Sequence, residues 1–219
     1  MKRIINSNEV AEFIAGKILE KIKQGKKVLW FATGGSSTKA GIETAKIISE
    51  YPHRNLTVTL TDERYGPVGH PDSNWAKLTA GGFNLLEATV IPILTGENRS
   101  VTSQEFNIKL KEALKRADYK IGLFGVGADL HTAGILPGSP ALDSNEFVSD
   151  YKSETFERIT ITPRVIRALD EAVVFAQGRE KEPALEKIFS SSENHLSTKD
   201  APAQILKEVP LLTVFYKEK

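Results

Sequence analysis

Residues 28–38 have the sequence VLWFATGGSST, in which five apolar residues precede a pair of glycines and a run of hydroxyl side chains. A continuously apolar run of this length is typical of a strand that is buried on both faces, as the strands of a parallel sheet are. After the glycines, apolar residues recur at helical spacing from Ser37 to Tyr51. A buried strand that leads through glycines into a helix predicts an α/β fold.

Strands and helices alternate along the rest of the chain in the same way, with no internal repeat, low-complexity tract or linker. We therefore expect residues 1–219 to form one domain, a three-layer αβα sandwich around a mostly parallel, Rossmann-like sheet. The predicted strands are Val28–Thr33, Leu56–Thr61, Thr89–Leu94, Lys120–Phe124, Arg158–Thr162, Ala172–Ala176 and Leu211–Tyr216. The predicted helices are Ser7–Gln24, Ser37–Tyr51, Ser73–Gly81, Ser103–Arg116, Pro163–Leu169 and Glu182–Phe189.

Composition excludes several classes of function. The formal net charge is +1, so no electrostatic footprint indicates nucleic acid or an anionic membrane as a partner. The chain has no cysteine, which excludes disulfides, thiolate metal sites and cysteine nucleophiles. The basic N-terminal residues have apolar positions at helical spacing and no signal-peptide core, and no apolar run approaches the roughly 20 residues that span a bilayer. We expect a soluble cytoplasmic protein, monomeric or homodimeric.

The glycine pair after the first strand is a candidate anion site. Gly34 and Gly35 allow the backbone to approach a ligand closely, and Ser36 lies where the following helix exposes free N–H groups. The spacing of a nucleotide P-loop is absent. A plain turn from strand to helix with a serine cap is the alternative interpretation.

Polar residues also follow the second predicted strand. Asp62 and Arg64 come directly after it, and Asn74 lies a little further on. In open α/β sheets ligands bind beyond the carboxyl ends of the strands, and the planar guanidinium of Arg64 suits a phosphate or a carboxylate. The alternative is a solvated turn whose ion pairs contribute little.

The loop after the fourth predicted strand, residues 125–138, has the sequence GVGADLHTAGILPG. An imidazole with a pKa near ~6.5 can act as a base at neutral pH, which makes His131 a candidate general base that Asp129 would orient. Alternatively, Asp129 caps a helix and His131 is structural. Leu130 replaces the third glycine of a dinucleotide fingerprint and no ribose-binding acid follows, which argues against a nicotinamide cofactor. The other histidines, His53, His70 and His195, have polar neighbours in the sequence and no predicted role.

Two cations near later strand ends complete the candidate site. Arg158 begins a predicted strand, and Lys181 falls in the first turn of a predicted helix. A cation is unfavourable at that end of a helix unless an anion binds there. A solvated lysine is the alternative.

Taken in order, these stretches resemble the glucosamine-6-phosphate isomerase/6-phosphogluconolactonase family over most of the chain, from Thr33 to about Leu206. The matching motifs are Thr33–Ser37, Asp62–Arg64 with Ser73–Asn74, Gly125–Pro137, Arg158–Thr162 and Gly178–Lys181. Deaminases of this family typically carry Asp-Glu-Tyr and Asp-Gly-His-Ile-Ala-Phe. Here the chain has Asp62-Glu-Arg64 and His131-Thr-Ala-Gly134, which favours the lactonase branch.

The resemblance implies hydrolysis of 6-phospho-D-glucono-1,5-lactone to 6-phosphogluconate, with no metal or organic cofactor. It implies that His131 activates water and that Asp129 supports the geometry of the site. The sugar-phosphate substrate would be held by Gly34, Gly35, Ser36, Asp62, Arg64, Asn74, Arg158 and Lys181. Arg99, Arg164 or Arg179 could replace one of the phosphate-binding cations.

The chain departs from the family pattern in the histidine loop. Leu130 occupies the position of a family glycine, and Gly134-Ile135-Leu136 replaces Ser-Leu-Phe. We expect Leu130 either to narrow the pocket or to adopt a backbone conformation that suits glycine better. Two other functions stay open: an amino-sugar-phosphate isomerase or deaminase in which Asp62 transfers a proton, and a non-catalytic sugar-phosphate sensor on the same fold.

Overall fold

The computed structural model describes residues 2–3, 7–189 and 196–218, so His195 lies outside the described residues. The strands are β1 Lys2–Arg3, β2 Val28–Ala32, β3 Leu56–Leu60, β4 Asp62–Arg64, β5 Thr89–Val90, β6 Tyr119–Phe124, β7 Val148–Lys152, β8 Glu157–Ile161, β9 Glu171–Gln177 and β10 Leu211–Lys217. The helices are α1 Ser7–Lys23, α2 Thr38–Ser49, α3 Asn74–Ala80, α4 Arg99–Arg116, α5 Pro163–Arg167 and α6 Glu182–Phe189. Four short 3₁₀ segments lie at Gly35–Ser37, Pro140–Leu142, Arg179–Lys181 and Pro202–Glu208.

The main sheet has seven strands in the order β1-β10-β9-β6-β2-β3-β5, and every pairing in it is parallel. All residues of β2 are buried, as its continuous apolar run predicts. The predicted α/β class with a mostly parallel sheet is confirmed.

The order in which successive strands join the sheet reverses at β2. From β2 the chain moves through α2 to β3 on one side, and from β5 it returns through α4 to β6 on the other side of β2. Because crossover connections between parallel strands are right-handed, opposite directions place α2 and α4 on opposite faces of the sheet. This gives the predicted three layers, and it puts the point where the strand order reverses between β2 and β6.

The helices cover the sheet with apolar faces at helical spacing. In α1, Val10, Ile14 and Ile18 are fully buried, and so are Trp30 and Phe31 of the strand β2. Complete burial of side chains of this size contributes roughly 1.5–3 kcal/mol each. Within the described residues, no helix has the length and apolarity that crossing a bilayer requires.

A second, antiparallel sheet in the order β4-β8-β7 corrects the sequence prediction. Residues Asp62–Arg64, which no predicted strand included, form β4, and the strand predicted at Arg158–Thr162 belongs to this sheet as β8 instead of the parallel one. The strand β7 was not predicted, because its sequence VSDYK mixes charged and apolar residues. Short polar strands carry little hydrophobic pattern and depend on their partners.

Other boundaries also differ from prediction. The strand predicted at Thr89–Leu94 is limited to the exposed edge strand β5, and the two-residue strand β1 was not predicted. Helix α4 begins at Arg99 instead of Ser103 because the Asn98 side chain accepts a hydrogen bond from the backbone N–H of Val101, which caps the helix earlier.

Candidate active site

A cavity of ≈ 280 Å³ lies at the carboxyl ends of β2 and β6, where the strand order reverses. This is where open α/β sheets bind ligands. Nine of the ten residues predicted for the site line the cavity: Gly34, Gly35, Ser36, Asp62, Arg64, Asn74, His131, Arg158 and Lys181. The tenth, Asp129, is hydrogen-bonded to His131.

Asp129 and His131 form a close side-chain pair. The Nδ1 atom of His131 lies 2.5 Å from Oδ1 of Asp129, and the same oxygen accepts the backbone N–H of His131 at 3.3 Å. The hydrogen bond from His131 lowers the pKa of Asp129 below its usual value. Because a carboxylate only accepts, Nδ1 carries the proton and Nε2 keeps a lone pair that can take a proton.

The alternative in which Asp129 caps a helix is wrong, because residues 127–139 form turns and one isolated bridge. Instead, Asp129 bonds to His131 within the loop, and Gly127 allows the two residues to approach. A side chain on Gly127 would overlap both Nδ1 of His131 and Oδ1 of Asp129. The backbone N–H of Gly127 also donates to the carbonyl of His131 at 2.9 Å. Glycine at this position leaves the space in which the pair sits.

Leu130 adopts the backbone conformation that suits glycine, with φ at 70°. Such a conformation costs a residue with a side chain about 1–2 kcal/mol. The carbonyl of Leu130 accepts the backbone N–H of Ala203 at 3.0 Å, which holds the strained residue in place. Of the two effects expected of Leu130, the backbone conformation is the one observed, and Leu130 is not among the residues that line the cavity.

The second sheet holds the histidine loop against the rest of the site. The hydroxyl of Tyr151, on β7, donates to the carbonyl of Gly134 at 2.5 Å. The backbone N–H of Gly134 donates to the hydroxyl of Thr160, on β8, at 3.0 Å. Both backbone groups of Gly134 are therefore anchored to the antiparallel sheet.

Two arginines face each other across the antiparallel pair β4 and β8. Arg64 and Arg158 are directly opposed in the register, and their guanidinium carbons lie 5.5 and 5.6 Å from the centre of the Phe156 ring. Like charges directly opposite each other on a sheet are destabilising. Contact with the face of an aromatic ring offsets part of this repulsion, and an anion between the two groups would remove it.

Neutral groups orient Arg64. Its Nη1 donates to Oδ1 of Asn74 at 2.5 Å and to the carbonyl of Asp72 at 3.2 Å. The Asn74 amide nitrogen in turn donates to the carbonyl of Asp62 at 3.0 Å. A side chain on Gly34 would overlap the Asn74 amide, which accounts for glycine there.

Asp62 and Arg158 form an ion pair on the second sheet. They lie 4.0 Å apart, between Nη1 and Oδ2, and both are largely buried. Arg158 also donates from Nε to the hydroxyl of Ser153 at 3.3 Å. Arg158 thus shares its charge with a carboxylate, whereas Arg64 forms no ion pair within the described parts of the chain.

Lys181 lies in a 3₁₀ turn that precedes α6, and not in the first turn of the helix as predicted. Gly178, at φ 102°, begins this turn and its carbonyl accepts the backbone N–H of Lys181 at 3.0 Å. The ammonium group of Lys181 forms no ion pair with any residue that the structure describes. It lines the cavity together with Ser36.

The turn after β2 does not use a serine cap. Ser37, the residue at the start of α2, donates its hydroxyl to the carbonyl of Phe175 on β9 at 3.1 Å and makes no side-chain bond to the helix. The alternative of a serine-capped turn is therefore wrong for Ser37, and Ser36 lines the cavity.

The arginines considered as substitutes bind elsewhere. Arg99 pairs with Asp150 at 2.8 Å and Glu157 at 2.7 Å. Arg164 donates to the carbonyl of Asn145, and Arg179 pairs with Glu218. None of the three is among the residues that line the cavity.

Two histidines without a predicted role have structural contacts. His53 is buried and its Nδ1 lies 2.7 Å from the carbonyl of Tyr51, while Nε2 of His70 lies 2.9 Å from the carbonyl of Arg64. Across residues 7–189 and 196–218, no three histidine, aspartate or glutamate side chains are grouped as metal ligands.

Comparison with known proteins identifies the family. The profile of the glucosamine-6-phosphate isomerases/6-phosphogluconolactonase family matches residues 6–213. The chain belongs to this family.

Relatives in the family carry the lactonase name. A 6-phosphogluconolactonase of Nostoc sp. is 26% identical over 197 residues, which cover 85% of this chain and 81% of the relative. A probable 6-phosphogluconolactonase of Dictyostelium discoideum is 25% identical over 222 residues, 96% of this chain and 93% of the relative.

Solved structures share the fold. A 6-phosphogluconolactonase from Plasmodium vivax superposes with a TM-score of 0.81 at 18% identity, over 99% of this chain and 90% of that one. One from Shewanella baltica superposes with a TM-score of 0.79 at 18% identity, over 99% of this chain and 96% of that one.

Sequence reasoning missed the residues that support the site from outside the cavity. Tyr151 and Phe156 lie on or beside strands of the second sheet that have no clear hydrophobic pattern. Glu63 lies inside a motif that was recognised, between Asp62 and Arg64, and alternation along a strand would have placed it on the opposite face.

Proposed function

We propose that this chain hydrolyses 6-phospho-D-glucono-1,5-lactone to 6-phosphogluconate. The observation that carries the proposal is that one cavity joins two kinds of group: the His131–Asp129 pair, and the opposed arginines Arg64 and Arg158 with Lys181 beside them. The first can activate water and the second can bind a phosphate. The lactonase relatives support this pairing of functions.

In this proposal the phosphate of the substrate lies among Arg64, Arg158 and Lys181. Guanidinium groups bind phosphate oxygens through paired N–H donors, and the dianion offsets the repulsion between the two arginines. The phosphate does not react. Its binding fixes the position of the lactone ring relative to His131, which reduces the entropy lost on reaching the transition state.

His131 acts as the general base. Nε2 takes a proton from water while the water oxygen bonds to C1 of the lactone, and the carbonyl electrons move to the carbonyl oxygen. When the carbonyl re-forms, the bond between C1 and the ring oxygen breaks, and the imidazolium returns its proton to that oxygen. Asp129 stabilises the imidazolium through the hydrogen bond to Nδ1.

The proposed reaction requires no metal ion or organic cofactor. The lactone carbonyl is already reactive toward water, and the base at Nε2 of His131 suffices to activate the water molecule. A cytoplasmic location and a monomeric or homodimeric state stay predictions from the sequence.

The test is turnover of freshly generated 6-phosphogluconolactone, followed by a coupled dehydrogenase and corrected for spontaneous hydrolysis. We expect rapid turnover by the wild type. In His131→Ala and His131→Asn it should fall by roughly 10²–10⁴-fold, with an unchanged circular dichroism spectrum. Near-normal turnover in either variant would remove His131 from the mechanism.

Two controls separate the other functions. Release of ammonia from glucosamine 6-phosphate would indicate the isomerase or deaminase reaction with Asp62 as the proton carrier. Tight binding of 6-phosphogluconate by a wild type that turns over no lactone would indicate a sugar-phosphate sensor.

A further inference from the structure

Glu63 is a fully buried carboxylate behind the cavity. It lies on β4 between Asp62 and Arg64, which both line the cavity, and it is 0% exposed. Because successive side chains of a strand point to opposite faces, Glu63 points away from the cavity, toward the start of α3. A buried carboxylate is costly unless its oxygens are hydrogen-bonded.

Four donors surround this carboxylate. Oε1 accepts the backbone N–H groups of Arg64 at 2.8 Å and of Asn74 at 2.6 Å. Oε2 accepts the hydroxyl of Ser73 at 2.9 Å and the backbone N–H of Trp75 at 3.0 Å. Burial raises the pKa of Glu63, and these hydrogen bonds oppose that effect.

Two of the four donors are free backbone N–H groups at the start of α3. A helix leaves its first N–H groups without internal partners, and Glu63 takes those of Asn74 and Trp75. Ser73 caps the next one, since its hydroxyl accepts the backbone N–H of Ala76 at 3.0 Å. The start of α3 is therefore attached directly to the back of β4.

This attachment sets the position of Asn74, and Asn74 orients Arg64. The Asn74 side chain accepts from Nη1 of Arg64 at 2.5 Å, and the Nε of Arg64 is buried with no partner in the described residues. The orientation of the guanidinium thus depends on where α3 begins.

We propose that Glu63 is a positioning residue that fixes the Arg64 guanidinium in the cavity through Asn74, without touching the substrate. The effect on catalysis rests on the proposed lactonase function, whereas the effect on Arg64 does not. A carboxylate is needed because all four neighbours are donors. The amide of a glutamine would turn N–H groups toward two of them.

The main test is Glu63→Gln. We expect KM for 6-phosphogluconolactone to rise about tenfold while kcat changes less than threefold, because phosphate binding is weakened and the His131–Asp129 pair is unchanged. The Kd for inorganic phosphate should rise in parallel. The Nε–H signal of Arg64 in the nitrogen–proton NMR spectrum should shift or broaden.

The matched control is Asn98→Ala. It removes the cap of α4, so it lowers stability through a hydrogen bond between Asn98 and Val101 that does not involve Arg64. We expect KM, the phosphate Kd and the Arg64 signal to stay as in the wild type. If Asn98→Ala raises KM as much as Glu63→Gln does, loss of stability explains the effect and the proposal is overturned.

A double-mutant cycle tests the route. Arg64→Ala should raise KM, and adding Glu63→Gln should then raise it no further. Independent, multiplying effects would contradict action through Arg64.

A second variant serves if Glu63→Gln does not fold. Ser73→Ala deletes one of the four hydrogen bonds to the same carboxylate and should raise KM two- to threefold. An unchanged KM together with an unchanged Arg64 signal would overturn the proposal.

Failure of the proposed function is distinguishable from failure of this inference. A wild type without lactone turnover would contradict the lactonase function. The Arg64 signal in Glu63→Gln would still decide whether Glu63 positions the guanidinium.

Discussion

At the scale of single residues, the hydrogen bond between His131 and Asp129 has a measurable signature. It lowers the pKa of Asp129, so the carboxyl carbon of Asp129 should titrate below the ordinary value of about 3.9. A lowered pKa means that the stabilisation from this pair is present above that ordinary value and is lost as the pH falls through the lowered one. The measurement is carbon-detected NMR titration.

The control for this titration is His131→Ala, which removes the largest cause of the shift. We expect the midpoint of Asp129 to rise toward its ordinary value in the variant. An unchanged midpoint would mean that the carboxylate is stabilised by other groups and that the histidine pair is weak.

Leu130 provides a second test at this scale. At its φ of 70°, glycine is unstrained and alanine is not. Leu130→Gly should therefore be more stable than Leu130→Ala by about 1 kcal/mol, as measured by chemical denaturation.

The order of stability of the glycine and alanine variants should reverse in an ordinary helix. Ile108 is exposed in the interior of α4, and there the glycine variant should be less stable than the alanine variant by about 0.5–1 kcal/mol. The same order at both positions would show that Leu130 is not strained.

At the scale of elements, β7 holds the histidine loop through one hydroxyl. Tyr151→Phe removes the donor to the buried carbonyl of Gly134, which should lower the free energy of unfolding by about 1 kcal/mol and reduce kcat several-fold. Denaturation and lactone turnover measure the two effects.

Tyr65→Phe is the control for loss of a tyrosine hydroxyl. The hydroxyl of Tyr65 donates to the carbonyl of Glu97 in an exposed position, where water can replace it. Tyr65→Phe should lower the free energy of unfolding less than Tyr151→Phe does and leave kcat unchanged. Equal losses of kcat in the two variants would exclude a specific effect of β7 on the loop.

The elements also show where sequence prediction worked. The strands β2 and β6 are apolar over consecutive positions, and burial on both faces demands that pattern. The strands β4 and β7 were missed because their sequences, DER and VSDYK, are short and rich in polar residues, a composition that also fits loops. Their pairing with β8 comes from tertiary contacts between residues far apart in sequence.

In the site, too, some residues could be predicted from local sequence and others depend on tertiary contacts. The ionisable side chains and the asparagine that line the cavity were predicted, because their chemistry and their places near strand ends are visible in the sequence. Glu63 and Tyr151 were not, since each acts through hydrogen bonds to backbone groups of other elements. Such bonds depend on the folded geometry, which no local pattern encodes.

At the scale of the whole molecule, binding of a phosphorylated product should stabilise the fold. A ligand at about 100 times its Kd adds about 2.7 kcal/mol, which corresponds to a rise in Tm of roughly 5–10 °C for a chain of this size. We expect 6-phosphogluconate to produce such a shift in a thermal melt.

The controls identify the groups involved. Gluconate, which lacks the phosphate, should shift Tm much less at the same concentration, and Lys181→Ala should reduce the shift by 6-phosphogluconate. Equal shifts by the two ligands would contradict phosphate binding in the cavity.

The overlap that any side chain on Gly127 would make with His131 and Asp129 has a consequence for directed evolution. In a library randomised at positions 127 and 130 and selected for lactone turnover, position 127 should return glycine alone. Position 130 should return several residues, because there the constraint is conformational strain and not a collision with the reacting groups. The same short loop thus combines a position that cannot vary with one that offers room for improvement.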